Sequence, residues 1–101
     1  MSITASDPGA GYREVLTAII TSKVKALGKL AVQKVRTVPG LVVEDSGVVT
    51  AVGADGVQAL DAVLDIYERL AGRTSTHMAR IAILPLLSRF PTLALPDRLR
   101  R

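Results

Sequence analysis

The sequence contains no cysteine and no tryptophan, and only one histidine, one phenylalanine and two tyrosines. Without cysteine there is no disulfide framework, no thiolate metal site and no cysteine nucleophile. A single histidine offers no imidazole pair for a metal and only one imidazole base. With 3% aromatic residues, any core must be aliphatic, and stacking on nucleic-acid bases has little to work with. Long hydrophobic runs are missing as well. The most apolar stretch, 81–95, is interrupted by Pro85, Arg89 and Pro91, and is shorter than the roughly 20 residues of a membrane-spanning helix. The opening MSITASDPGAG has neither the basic nor the apolar region of a secretory signal. Together these absences lead to the expectation of a cytoplasmic protein with no membrane span.

What is present is enough apolar material to fold. Of 101 residues, 49% are hydrophobic, which suits one domain with a modest core. A small domain of this kind can finish burying its apolar surface in a homo-oligomer.

Charge is sorted along the chain. Residues 1–36 carry six basic and two acidic side chains, residues 37–72 one basic and six acidic, and residues 73–101 six basic and one acidic. Opposite blocks attract over about 10 Å at moderate salt, so an acidic middle between basic ends favours folding back or pairing with a second copy.

The spacing predicts a first helix from Tyr12 to Val38. Its apolar positions are Tyr12, Leu16, Ile20, Val24, Leu27, Ala31, Val35 and Val38, in steps of four and three. Ser6-Asp7-Pro8 can start it and Pro39-Gly40 ends it. Lys25, Lys29 and Arg36 gather on the opposite face, with Lys23 and Lys34 flanking the stripe. Gly28 is the weak point, costing about 1 kcal/mol against alanine in a helix interior. If the helix stopped near Leu27, residues 30–38 would become a strand.

Two β-branched runs, 41–43 and 48–52, flank Glu44-Asp45-Ser46-Gly47 and read as a hairpin. Two strands alone are marginal, so this hairpin must pack on helices or pair across a subunit boundary. A second helix follows, with Asp55 as N-cap, Gln58 placed to reach back, and Gly72 as the closing glycine. Val57, Leu60, Val63, Leu64, Tyr67, Leu70 and Ala71 form its apolar face. Asp61, Asp65 and Glu68 form an acidic stripe opposite, in which Asp65 can pair with Arg69. Thr74 or Ser75 can cap a third helix through Met78, Ile81, Ala82 and Leu84, which Pro85 should kink or break. Arg36-Thr37-Val38-Pro39-Gly40-Leu41 is echoed by Ser88-Arg89-Phe90-Pro91-Thr92-Leu93.

The expected fold is therefore mainly α: a small helical domain with one short hairpin. The alternative is an α+β two-layer domain in which 30–38 and 79–84 join the hairpin. Residues 1–10 read as a flexible N-terminal segment, 11–95 as the single domain, and 96–101 as a basic tail.

No set of residues carries a reaction. Ser75, Thr76 and His77 are sequence neighbours, which point different ways on a helix and do not form a nucleophile–base pair by themselves. Gly53-Ala54-Asp55-Gly56 precedes a helix but lacks a phosphate-binding lysine, and Asp55 would repel an anion. Asp61, Asp65 and Glu68 have no histidine or second carboxylate cluster to complete a metal shell. Neither cofactor nor metal is expected. The leading reading is a non-catalytic interaction or regulatory module that self-associates through complementary faces, Lys25, Lys29 and Arg36 against Asp61, Asp65 and Glu68. Its partner would be a second copy or another protein. The alternative is a nucleic-acid-binding protein whose basic face and Arg98–Arg101 contact phosphates.

Overall fold

The computed structural model describes residues 8–100. The Ser6-Asp7 helix start, most of the N-terminal segment expected to be flexible, and Arg101 lie outside them. Among the described residues there are five helices and one two-stranded antiparallel sheet: α1 (Pro8–Leu27), α2 (Lys29–Val35), β1 (Val42–Val43), β2 (Val49–Ala51), α3 (Gly56–Ala71), α4 (Thr74–Leu87) and α5 (Asp97–Arg100). The chain is mainly α with a short hairpin. Residues 79–84 lie within α4 and 29–35 form α2, so neither stretch joins the hairpin as a strand.

The single long first helix is corrected to two. Gly28 sits at φ 64°, ψ −144°, a conformation essentially restricted to glycine. Its N–H still donates to the Val24 carbonyl at 2.8 Å, closing α1, and its own carbonyl accepts from Ala31 N–H at 3.1 Å, opening α2. Helical spacing persists across the break because each helix buries its own apolar face. Val15, Leu16, Ile19 and Ile20 are buried on α1, and Ala31, Val32 and Val35 on α2.

α3 is built as its ends dictate. The Asp55 carboxylate accepts from Gln58 N–H at 3.0 Å, and Gly72 N–H donates to the Glu68 carbonyl at 2.8 Å where the helix stops. Its apolar face supplies Leu60, Val63, Leu64 and Tyr67 to the core. The fully buried Tyr67 hydroxyl donates to the Ala31 carbonyl at 2.9 Å, tying α3 to α2.

The hairpin packs on α1. Val43 and Val49 point inward while Val42 and Thr50 face solvent, and Val49 N–H donates to the Thr17 hydroxyl at 2.9 Å. The register is irregular between Val42 and Val43.

α4 begins with no side-chain cap from Arg73, and Thr74 is already its first helical residue, so neither Thr74 nor Ser75 caps it. Pro85 does not break it; the helix runs on to Leu87. The proline sits on the exposed side within the last turn, where the carbonyl it leaves without a donor can be hydrated. The echoed Val38-Pro39 and Phe90-Pro91 stretches close the same hydrogen bond, Leu41 N–H to the Val38 carbonyl and Leu93 N–H to the Phe90 carbonyl, but Gly40 has φ 81° and Thr92 does not have positive φ, so the turn types differ.

Residues 88–96 return along α1. The Tyr12 hydroxyl donates to the Ala94 carbonyl at 2.8 Å, and Arg89 makes a two-pronged pair with Glu14 at 3.0 and 3.2 Å. The expected basic tail is in part a docked element. Pro96 and Leu99 are buried, and Arg80 donates to the Leu99 and Arg98 carbonyls at 3.2 and 2.9 Å.

Candidate interaction surfaces

Three kinds of surface emerge from this packing: an acidic stripe, a set of basic side chains, and an apolar ridge. The stripe is where helical spacing puts it. Asp61, Asp65 and Glu68 lie on one side of α3, all half-buried. Arg98 fills the space between them, its Nε 2.8 Å from Asp61 Oδ1 and its guanidinium 3.0 Å from Glu68 Oε1 and 3.8 Å from Asp65 Oδ1. Glu68 also accepts a short hydrogen bond from the Thr76 hydroxyl of α4, and Asp65 pairs with Arg69 one turn on. Arg98 is 29% exposed at its side chain, so solvent screens this network less than a free surface pair.

Within one chain, the basic positions expected to pair with that stripe do not meet it. Lys25 closes α1 while Lys29 opens α2 beyond the Gly28 break, and both are exposed. Arg36 donates to the Val43 carbonyl at 3.1 and 2.7 Å and pairs with Asp45 at 2.9 Å, bracing the hairpin. The carboxylates therefore meet Arg98 and Arg69, while Lys25, Lys29 and Arg36 are separated from them and from one continuous helix face. Lys34 is exposed, and Lys23 is buried with its ammonium 6.0 Å from the centroid of the Tyr67 ring. Burial pushes the Lys23 pKa below the usual lysine value, because desolvation disfavours the charged form.

The remaining candidates separate. Thr76 is engaged with Glu68, Ser75 is buried, and His77 is exposed; the three side chains share no focus. No group of three or more histidine, cysteine, aspartate or glutamate side chains that could hold a metal occurs among the described residues. The Gly53–Gly56 loop is a strand exit leading to the Asp55 cap.

The apolar ridge was concealed by the overall hydrophobicity of α4. The sequence reads that helix through Met78, Ile81, Ala82 and Leu84, whereas the residues α4 buries are Ser75, Thr76, Ala79 and Ile83. Small side chains at 75, 76 and 79 let α4 lie against α1 and α3, Ile83 anchors it in the core, and three other large side chains are turned out. Met78, Ile81 and Leu84 are 52%, 49% and 57% exposed. The signal available in advance was the run of small residues at 75, 76 and 79 on one helical face.

Among the described residues, no helix is long and apolar enough to cross a membrane. Compared with known proteins, the chain matches no family model, no curated protein and no solved structure.

Proposed function

We propose that this chain is a non-catalytic protein–protein interaction module that self-associates through the outer face of α4. The observation that carries this reading is the ridge of Met78, Ile81 and Leu84, each about half exposed, on a 14-residue helix whose one charged residue is Arg80. That arginine is turned to the Leu99 and Arg98 carbonyls, leaving the ridge without a charge of its own. An uncharged apolar ridge of this kind offers a surface that a partner can cover.

Symmetry favours a second copy as the occupant. The ridge residues are spaced three apart on either side of Ile81, so two antiparallel α4 helices crossing there bring each Met78 to the other's Leu84. That arrangement also sets each helix N-terminus beside the partner's C-terminus, which their dipoles favour. The ridge side chains leave on the order of 300 Å² per copy to be covered, against about 800 Å² per partner in a standard interface. A micromolar or weaker dimer is the expected strength. Charge matching between Lys25, Lys29 and Arg36 and the acidic stripe has a smaller part here, since Arg98 already occupies the carboxylates. The phosphate-binding alternative likewise loses Arg36 and Arg98 to contacts within the chain.

Sedimentation equilibrium from about 5 μM to about 1 mM tests the reading. The native chain should move from monomer towards dimer, and Ile81→Glu should remain monomeric with unchanged helicity. A native chain that stays monomeric throughout, or an Ile81→Glu variant that dimerises equally, refutes it.

A further inference from the structure

The seat of Arg98 and Leu99 has features of a recognition site. Three carboxylates of one α3 face surround a single guanidinium. Arg80 of α4 donates to the carbonyls of the same two residues, and the Leu99 side chain is 4% exposed. Side-chain charge, backbone and an apolar anchor are thus all read over two consecutive residues. A cleft of about 350 Å³, lined by Asp61, Glu68, Asp97 and Arg98, opens beside them.

The occupant is a short element. α5 has four residues, far fewer than a helix needs to persist alone, and the chain from Ser88 to Pro96 that delivers it has no regular structure. Tethers upstream, at Ala94 and Arg89, keep that connection on α1 while residues 96–100 lift away. Local opening of so small a unit withdraws Leu99 from the edge of the core and leaves the packing among α1 to α4 in place. Once it lifts, Asp61, Asp65 and Glu68 face solvent as three like charges one turn apart, which disfavours the empty state and favours any replacement of the same chemistry.

We propose that the seat of Arg98-Leu99 on α3 and α4 is a docking site for a peptide segment bearing arginine followed by leucine, kept occupied by the chain's own segment until a competing one displaces it. The fit is one of charge complementarity: three carboxylates for the guanidinium, the Arg80 donors for its carbonyls, and an apolar seat for the leucine. The site stands apart from the α4 ridge and does not depend on self-association.

The test uses a labelled synthetic peptide of residues 93–101 added to the full-length chain and to an Arg98→Ser/Leu99→Ser variant, whose seat is empty. A short tether gives the resident segment a millimolar effective concentration. For a peptide of about 100 μM affinity, emptying the seat should therefore tighten binding about tenfold. Adding Asp61→Asn and Glu68→Gln to the emptied chain should abolish binding, as should replacing the peptide's Arg98 position by glutamate. Failure of the peptide to bind a folded, emptied chain overturns the proposal. So does equal binding to the chains with and without the carboxylates, which is general attraction of a basic peptide. Should the emptied chain not fold, the native chain labelled with nitrogen-15 decides the matter. Unlabelled peptide at about 1 mM should shift the amide signals of Glu68, Arg98 and Leu99, and no shift there refutes the site.

Discussion

Replacing glycine by alanine in a helix ordinarily stabilises a protein, by up to about 1 kcal/mol, and Gly56→Ala should do the reverse. Gly56 is the first residue of α3, with Tyr12 of α1 laid across it. A Cβ at that position would sit 2.1 Å from Tyr12 Cδ2 and 2.4 Å from Cε2, far inside van der Waals contact. Either the ring or the helix start has to move. The ring is the harder to shift, because Tyr12 is buried and its hydroxyl is committed to the Ala94 carbonyl at 2.8 Å. Overpacking of this sort costs about 1–3 kcal/mol, and loss of the hydrogen bond adds about 0.5–1.5 kcal/mol. After the propensity gain, a net loss of about 0.5–3.5 kcal/mol remains, at about 4–8 °C in Tm per kcal/mol for a chain of this size. Thermal and urea unfolding followed by circular dichroism measure it directly. The sharper readout is a double-mutant cycle with Tyr12→Ala, in whose background the alanine meets open space and its penalty should vanish. A Gly56→Ala chain as stable as the native one, or an undiminished penalty in the Tyr12→Ala background, refutes the close approach of α1 to α3.

Gly28→Ala separates backbone from packing. Nothing lies within 4 Å of a Cβ there, so its loss of about 1–3 kcal/mol in chemical unfolding should come from backbone conformation alone; a Gly28→Ala chain at least as stable as native would refute the break between α1 and α2. Alkaline pH should act through Tyr67, whose phenol is pushed far above its ordinary value by burial. The unfolded state ionises near pH 10 and the folded state does not, so its contribution is intact below that pH and falls as pH rises above it. Tm between pH 8 and about 11 should therefore decline less steeply in Tyr67→Phe, and parallel curves for the two chains would contradict the assignment.

The legible parts of this fold are those whose physics is local. Asp55 three residues before Gln58, a glycine at 72, and turn residues between two valine-rich runs each specify their structure within a few positions, and α3 and the hairpin formed as expected. The break at Gly28 was legible only as a weak point and an alternative stop near Leu27, not as a second helix beyond it. Apolar spacing runs unbroken from Leu27 to Ala31, and periodicity reports which residues are buried, not whether the axis changes direction between them. α4 misled for a related reason. Almost every large residue there is apolar, so hydrophobicity could not choose a face, and the choice fell to the small residues that permit close packing. Arg98 was the least accessible to inspection. Charge sorting favoured folding back or pairing with a second copy, with Lys25, Lys29 and Arg36 as the expected partners of the stripe, whereas the C-terminal block reaches it by a long return path past Tyr12 and Glu14.

That return path has a consequence for the order of folding. Tyr12 bonds a carbonyl 82 residues later in the chain, and Glu14 pairs with an arginine 75 residues later. Among two-state proteins, such distant closures slow the search for the native state. On a ribosome adding about 5–20 residues per second, several seconds pass between synthesis of α1 and synthesis of the segment that covers its N-terminal half. During that interval Val15, Leu16, Ile19 and Ile20 have no α4 to pack against. The first helix made is among the last to be completed, and the nascent chain is most exposed to misassociation while it waits.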